Sequence, residues 1–163
     1  MRVLRSLLVL SLGAILAVPG FAQGTNVAFG GLRGDPSLPV EIVADSLNVN
    51  QTDGTALLIG SVVISQGEMK LSADQVFVVY NTGVAGIQRL EAEGNVLLVN
   101  GTDAAEAQRA DYSIDTGIVT MTGDVLLMQG PAAITGDRMQ VNLIDGTAQI
   151  TGRVRTVLQP IRD

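Results

Sequence analysis

Carboxylates are the side chains of this sequence that could do chemistry, because the chain contains no histidine and no cysteine. Histidine is the commonest general base and transition-metal ligand, and triad-type nucleophilic catalysis needs histidine or cysteine. Two carboxylate pairs, Glu91/Glu93 and Asp103/Glu106, could in principle act as the acid and base of a glycosidase. In a chain with 16 acidic residues such pairs are more often solvated surface. The sequence therefore predicts no enzymatic activity.

Four aspartates recur at comparable positions, Asp45, Asp74, Asp111 and Asp137. A ladder of calcium sites would need several oxygen ligands to converge on each ion, whereas this pattern supplies one aspartate per unit. Aspartate also begins strands by hydrogen-bonding nearby backbone amides. We therefore expect a structural role for these residues, with no bound metal and no other cofactor.

The aspartates belong to a sequence repeat that begins at a glycine. Gly60 opens GSVVISQG, Gly94 opens GNVLLVNG, Gly123 opens GDVLLMQG and Gly152 opens GRVRTVL, at intervals of 34, 29 and 29 residues. Self-similarity at a period of 20–50 residues is typical of repeat architectures, in which each unit covers an apolar face of its neighbour.

Alternating apolar residues indicate strands on both sides of each repeat glycine. Apolar positions keep one parity through Gly60, from Ala56 and Leu58 to Val62 and Ile64, and the later units do the same. A glycine within a strand marks a bend or a bulge. Turn signals such as Asp53-Gly54 separate the strands, and residues 103–110 lack the periodicity of a helix. The sequence predicts an all-β fold of repeated short antiparallel strands that bend at the glycines.

The parity of Val62 defines the predicted interior face. The face comprises that parity in the repeats and apolar residues of neighbouring strands: Val40, Ile42, Leu47, Val49, Leu58, Val62, Ile64, Val76, Val78, Tyr80, Val96, Leu98, Met121, Val125, Leu127, Met139, Val141 and Leu143. The opposite parity is often apolar as well, which suits either a closed roll or an open apolar interior. Aromatic residues make up only 3% of the chain, and a core with few large rings favours an unfilled groove.

The first 22 residues have the pattern of a cleaved secretory signal, with Arg2 and Arg5 before an apolar stretch and small residues before the expected cleavage after Ala22. Residues 23–39, rich in glycine, are predicted to be a flexible lead-in, and residues 40–160 the folded domain. Without the signal the chain carries 8 basic and 16 acidic residues, a net charge of −8. This charge argues against nucleic acid as a partner and against attraction to an anionic membrane.

The ordered set of motifs resembles the OstA-like/LptA family over residues 40–160. The most specific stretches are GSVVISQGEMKLSADQV, MTGDVLLMQG followed by ITGDRM, and GRVRTVLQP. The resemblance implies a twisted β-jellyroll, open at both ends, whose interior binds the acyl chains of lipopolysaccharide through its lipid A part. It also implies a location in the periplasm, end-to-end self-association, and docking on the jellyrolls of LptC-like proteins and of the LptD N-terminal domain. These contacts would form a bridge from the inner to the outer membrane.

Two other functions are compatible with the repeat. A β-solenoid scaffold that forms filaments would have the same repeat but a fully packed interior with no groove for lipid. A membrane-anchored, LptC-like component of the same pathway would keep its N-terminal apolar segment, which the predicted cleavage argues against.

Overall fold

The computed structural model describes residues 25–28, for their backbone, and residues 34–83 and 86–158. These ranges form strands connected by turns, and within them there is no helix that is long and apolar enough to cross a membrane. The strands are β1 (Thr25–Ala28), β2 (Glu41–Val43), β3 (Ser46–Asn50), β4 (Thr55–Gln66), β5 (Met69–Tyr80), β6 (Ile87–Asn100), β7 (Asp103–Ser113), β8 (Ile118–Gln129), β9 (Ala132–Asn142), β10 (Thr147–Thr151) and β11 (Arg155–Leu158). The all-β prediction is confirmed, and residues 103–110 lie in a strand.

All strand pairs are antiparallel, and β4 to β9 each pair with the next strand along the chain. At one end of the sheet, β2 and β3 pair with successive parts of β4. At the other end, β10 and β11 pair with successive parts of β9, and β1 pairs with β10. The sheet therefore follows chain order, as the repeat predicts, except that β1 crosses to the C-terminal end.

A line of β-bulges crosses the sheet at the repeat glycines. Each glycine and the residue after it have positive φ, a conformation that bends the strand and that side chains rarely adopt. The pairs are Gly60 and Ser61 (φ 86° and 46°), Gly94 and Asn95 (78° and 47°), Gly123 and Asp124 (84° and 48°), and Gly152 and Arg153 (77° and 43°). We call this line the crease. It confirms the predicted bend at the glycines.

The crease divides the sheet into two leaves that face each other. Leaf A contains β1, β3, β10 and residues 55–59, 75–80, 87–93, 109–113, 118–122 and 138–142. Leaf B contains β2, β11 and residues 62–66, 69–72, 96–100, 103–107, 125–129 and 132–136. One apolar cluster joins the two inner faces and forms the core. The result is a roll with an aliphatic interior.

The predicted lead-in lies against this roll wherever the structure describes it. Residues Thr25–Ala28 pair with β10, and residues 34–39 contact both leaves. Ordered backbone pairing thus replaces the free segment that the glycine content predicts. The predicted signal peptide, residues 1–22, lies outside the described residues.

Candidate functional site

The candidate site is the apolar interior between the leaves. Most of the residues predicted to face inward are buried there: Leu58, Val62, Ile64, Val76, Val78, Val96, Leu98, Met121, Val125, Leu127, Met139, Val141 and Leu143. Val40 and Ile42 are half-buried and pack against the same cluster. Several side chains, among them Leu98 and Leu127, are 0% exposed, so the interior is closed in this structure.

The bulges explain how one apolar pattern lines both leaves. Between Ile59 and Val62 the register shifts, because β4 has one more residue there than β5. The extra residue lets Leu58 and Val62 keep one parity while both stay buried. On β5 the inward residues on the two sides of the crease are Ala73 and Val76, which are three residues apart, so the parity of the inward positions changes there. Strands that carry the glycine therefore keep their parity across the crease, and their partners change it.

Three predicted interior residues are exposed, which corrects the prediction that they lie in a covered interior. Leu47 and Val49 pair with the buried Leu58 and Ala56, so they lie on the inner face, yet they are 58% and 56% exposed. Tyr80, in the last position of β5, is 39% exposed. These residues are exposed because Leu47 and Val49 lie on an edge strand and Tyr80 lies at the end of a strand. In the described part of the chain β3 pairs only with β4, and no further strand covers its inner face.

The opposite end of the roll is open as well. Leu158 of β11 pairs with Ala132 of β9 and is 69% exposed, and all of β11 is exposed. At both ends of the roll, edge strands with exposed apolar residues therefore border the interior. Exposed edges of this kind can add a further strand from another chain.

Tyr112 is the aromatic residue of the buried core, and its hydroxyl joins the two leaves. Its Oη donates a hydrogen bond of 2.6 Å to Oε1 of Gln66, which ends β4 in leaf B. Burial raises the pKa of Tyr112 to about 12. The amide nitrogen of Gln66 donates to the carbonyl oxygens of Pro36 (3.1 Å) and Leu38 (2.9 Å). Sequence reasoning missed this contact, because the partners are distant in the chain.

Polar side chains mark the end of leaf B that faces away from the crease. Gln66, Asn100 and Asp103 are buried, and Asp103 accepts a hydrogen bond of 3.0 Å from Nε2 of Gln129. These residues lie at the ends of β4, β6, β7 and β8. The aliphatic interior is thus bordered by amide and carboxylate groups on this side.

The recurrent aspartates lie on the crease and support it. A Cβ added at Gly94 would meet the side chain of Asp74, and Asp45 and Asp137 occupy the same place beside Gly60 and Gly152. Asn95 Nδ2 donates to Asp74 (2.8 Å), and Arg153 Nη2 donates to Asp137 (2.6 Å). The hydrogen bond from Arg153 lowers the pKa of Asp137. The role is structural, as predicted, but the predicted contacts are wrong: Asp74 and Asp137 lie within β5 and β9 and accept hydrogen bonds from side chains of the crease, not from backbone amides at a strand start.

Asp111 does not belong to this set, which corrects the sequence comparison. The side chain beside Gly123 is Gln108, whose Nε2 donates to Asp124 (2.7 Å). In the units of Gly94 and Gly152 the residue after the glycine is the donor, whereas here it is the acceptor. Asp111 instead lies 3.5 Å from Nε of Arg109. The spacing could have identified Gln108, because Gln108 and Asp124 are 16 residues apart, as are Asp137 and Arg153.

Surface hollows of about 300 Å³ and about 430 Å³ follow the crease, and both are bordered by Asp124. Across residues 34–83 and 86–158 no group of three or more histidine, cysteine, aspartate or glutamate side chains could hold a metal ion. The hollows lie beside the bulges, and polar side chains such as Gln108 and Asp137 line them together with aliphatic ones such as Leu97 and Leu126.

The carboxylate pairs considered for glycosidase chemistry have different surroundings. Glu91 and Glu93 both bind the guanidinium of Arg109, with a distance of 2.9 Å from Nη2 to Glu91. Asp103 is buried, whereas Glu106 of β7 is exposed and pairs with Leu97 of β6. The first pair shares the guanidinium of Arg109, and the second is divided between the two faces of the sheet.

Comparison with known proteins places this fold in a family. A sequence model described as LptA/(LptD N-terminal domain) LPS transport protein matches residues 41–147. This chain belongs to the LptA/LptD N-terminal domain family. The resemblance of its motifs to OstA-like proteins is confirmed.

Individual relatives agree with the family match. The lipopolysaccharide export system protein LptA of Escherichia coli is 26% identical over 93% of this chain and 86% of its own length. An uncharacterized protein of Rhizobium meliloti is 28% identical over 78% of this chain and 69% of its own length. The crystal structure of LptH, the LptA-homologous periplasmic component of the lipopolysaccharide transport device of Pseudomonas aeruginosa, superposes with a TM-score of 0.70 at 17% identity. That superposition covers 78% of this chain and 99% of LptH, and it shows the same jellyroll fold.

Proposed function

We propose that this protein binds lipopolysaccharide in the periplasm and carries it from the inner toward the outer membrane, without catalysis. The observation that supports this most is the continuous aliphatic interior between the leaves, which reaches edge strands at both ends of the roll. Membership of a family of LPS transport proteins supports the same function.

The chemistry of the interior suits a carrier of acyl chains. Each methylene group removed from water contributes about 0.8 kcal/mol, so a lipid with several acyl chains cannot cross an aqueous compartment unaided. The interior offers Val, Leu, Ile, Met and Ala side chains to these methylenes. Such contacts are non-directional, so an acyl chain can slide along them without breaking specific bonds. A carrier needs this property, because it must release its cargo.

The open ends of the roll suit a bridge of stacked jellyrolls. The edge strands β3 and β11 are exposed, and inner-face residues Leu47 and Leu158 extend the apolar surface to them. Strand addition at these edges would join this chain to a second copy, to an LptC-like jellyroll or to an LptD N-terminal jellyroll. Each junction would bury the exposed apolar residues and continue the interior from one unit to the next.

A photo-crosslinking pair in cells tests lipid binding. Leu127 and Met128 are neighbours on β8, but Leu127 is buried in the interior and Met128 is exposed on the outer face. A photoreactive amino acid at position 127 is expected to capture lipopolysaccharide, and the same amino acid at position 128 is expected not to. Equal capture at the two positions, or none at position 127, would contradict the proposal.

A filament scaffold is the second candidate, and the closed interior favours it. Side chains from both leaves fill the space between them in this structure. Displacement of a fluorescent lipid by lipopolysaccharide, with light scattering on the same sample, separates the two functions. Oligomers that bind no lipid would indicate a scaffold, and lipid binding with concentration-dependent oligomers would indicate the bridge carrier.

A further inference from the structure

Residues 34–39 form a strap that crosses from one leaf to the other. At one end, the N–H of Gly34 donates a hydrogen bond of 2.9 Å to the carbonyl of Leu143, just after β9 in leaf A. At the other end, Nε2 of Gln66 in leaf B donates to the carbonyls of Pro36 and Leu38. The strap therefore joins the side of leaf A that lies away from the crease to the corresponding side of leaf B.

The strap lies over a seam, which we define as the line where the two leaves meet opposite the crease. Leaf A reaches the seam with its turns at residues 51–54, 114–117 and 143–146, and leaf B with its turns at residues 67–68, 101–102 and 130–131. Under the strap, Tyr112 of leaf A bonds to Gln66 of leaf B. At the crease the strands run continuously from one leaf into the other. Across the seam, the described hydrogen bonds are the one between Tyr112 and Gln66 and those made by the strap.

An amphiphile held by its acyl chains has to leave its sugars outside the aliphatic interior, since buried polar groups without partners are costly. Lengthwise movement between stacked rolls would then carry the sugars along the seam, which Gln66, Asp103 and Gln129 border with polar groups. The strap lies across that path. This argument depends on the proposed function, and its experiment is chosen to separate the two.

The strap buries little of itself and is therefore suited to release. Asp35, Ser37, Leu38 and Pro39 are exposed. Asp35 accepts a hydrogen bond from the N–H of Ser37 (2.9 Å), so part of the bonding of the strap is internal and survives detachment. Few apolar contacts have to be broken for the strap to leave, and local opening is cheapest in such segments.

We propose that residues 34–39 are a displaceable strap held by Gln66, and that acyl chains enter the interior through the seam when the strap detaches. Gln66 is the positioning residue of this gate. The strap keeps the apolar interior closed when the protein carries no lipid.

A reversible covalent lock tests the strap. A Cβ at position 34 would lie 3.5 Å from Cβ of Leu143, within the range of disulfides, and Gly34 is not among the glycines with positive φ. The chain has no cysteine of its own. Gly34→Cys combined with Leu143→Cys can therefore form one disulfide, and the same protein after reduction is the control. The probe is N-phenyl-1-naphthylamine, a neutral dye that fluoresces in apolar surroundings, and its uptake is followed by stopped flow.

We expect the oxidised protein to take up the dye at least about tenfold more slowly than the reduced protein, because the closed state can no longer open at the seam. Gln66→Glu should accelerate uptake about tenfold in the unlocked chain, since a carboxylate cannot donate to the strap carbonyls. Tyr112→Phe is the comparison variant, because it removes the hydrogen bond between the leaves and leaves those to the strap intact, so it should accelerate uptake less than Gln66→Glu does.

Equal uptake by the oxidised and reduced proteins would overturn the proposal, and so would failure of the dye to enter either form. Lipopolysaccharide is then added to displace the dye. If the lock controls dye uptake but lipopolysaccharide displaces nothing, the strap stands and the proposed function fails. If lipopolysaccharide displaces the dye and the lock has no effect, the proposed function stands and the strap fails.

Discussion

Replacement of Gly94 by alanine should destabilise the fold strongly, because the crease leaves no room for a methyl group. Gly94 has φ of 78°, which costs an alanine about 1–2 kcal/mol. The new Cβ would lie 3.0 Å from both Cβ and Cγ of Asp74, and nearer still to Oδ2. Overpacking of this kind costs about 1–3 kcal/mol. Displacement of Asp74 also breaks its hydrogen bond from Asn95, worth about 1 kcal/mol. We expect a total loss of about 3–6 kcal/mol, a large part of the 5–15 kcal/mol typical of a domain.

Gly54→Ala is the matched control for backbone strain. Gly54 has φ of 62°, and a Cβ added there would have no atom within 4 Å. Its loss should stay near 1–2 kcal/mol. Urea unfolding followed by far-ultraviolet circular dichroism measures both variants, since the chain contains no tryptophan. Equal losses at the two glycines would refute the reasoning, because they would show that contact with Asp74 adds nothing to strain.

A double-mutant cycle identifies the source of the difference. Asp74→Ala removes Cγ and Oδ2 from beside position 94 and keeps Cβ at 3.0 Å. Gly94→Ala should therefore cost about 1–2 kcal/mol less in the Asp74→Ala chain than in the original chain. An unchanged cost would mean that the backbone conformation, and not the aspartate, makes the glycine necessary.

The remaining predictions concern the interior and two titrating groups. Leu98→Ala, at a side chain that is 0% exposed, should lower the free energy of unfolding in urea by about 2–5 kcal/mol. Leu47→Ala, on the exposed edge strand, should lower it by less than about 1 kcal/mol. Similar losses would contradict the contrast between a closed interior and an exposed edge. In an NMR titration the pKa of Asp137 should rise in Arg153→Gln, because the hydrogen bond from Arg153 holds it low. The stabilisation from this pair is present above the unfolded pKa of about 3.9 and is lost as the pH falls through the folded pKa. An unchanged pKa would argue against the ion pair. In an ultraviolet absorbance titration Tyr112 should ionise with a pKa of about 12, because its ring is buried. The stability linked to this raised pKa is present below about pH 10 and is lost as the pH rises from about 10 to 12. Ionisation at the ordinary pKa would show that the ring is not buried.

The apolar pattern predicts the inner surface well, because its cause is local. Side chains alternate along a strand, and the glycine with its following residue adds one position at each bulge. The parity of Leu58 and Val62 across Gly60 therefore predicts their common burial, which the structure confirms. Repetition of the pattern in each unit extends this prediction to Leu98, Leu127 and their neighbours.

The pattern failed where a neighbour decides the outcome. Leu47 and Val49 have the parity of interior residues but lie on an edge strand, and periodicity does not reveal whether another strand covers it. Asp111 matches the motif of Asp74, yet Gln108 takes the place on the crease because Asp124 reverses donor and acceptor. Hydrogen bonding needs one donor and one acceptor, not a particular order of residue types.

The sequence alone therefore determined the all-β class, the bend at each repeat glycine, the face that points inward and the family. Each of these follows from steric and periodic rules that act over a few residues, or from motifs read in order. Only the tertiary structure decided that the interior is closed and that residues 34–39 cross the seam. Gln66 meets Pro36 across 30 residues of chain and Tyr112 across 46, and such contacts depend on how the two leaves fold together.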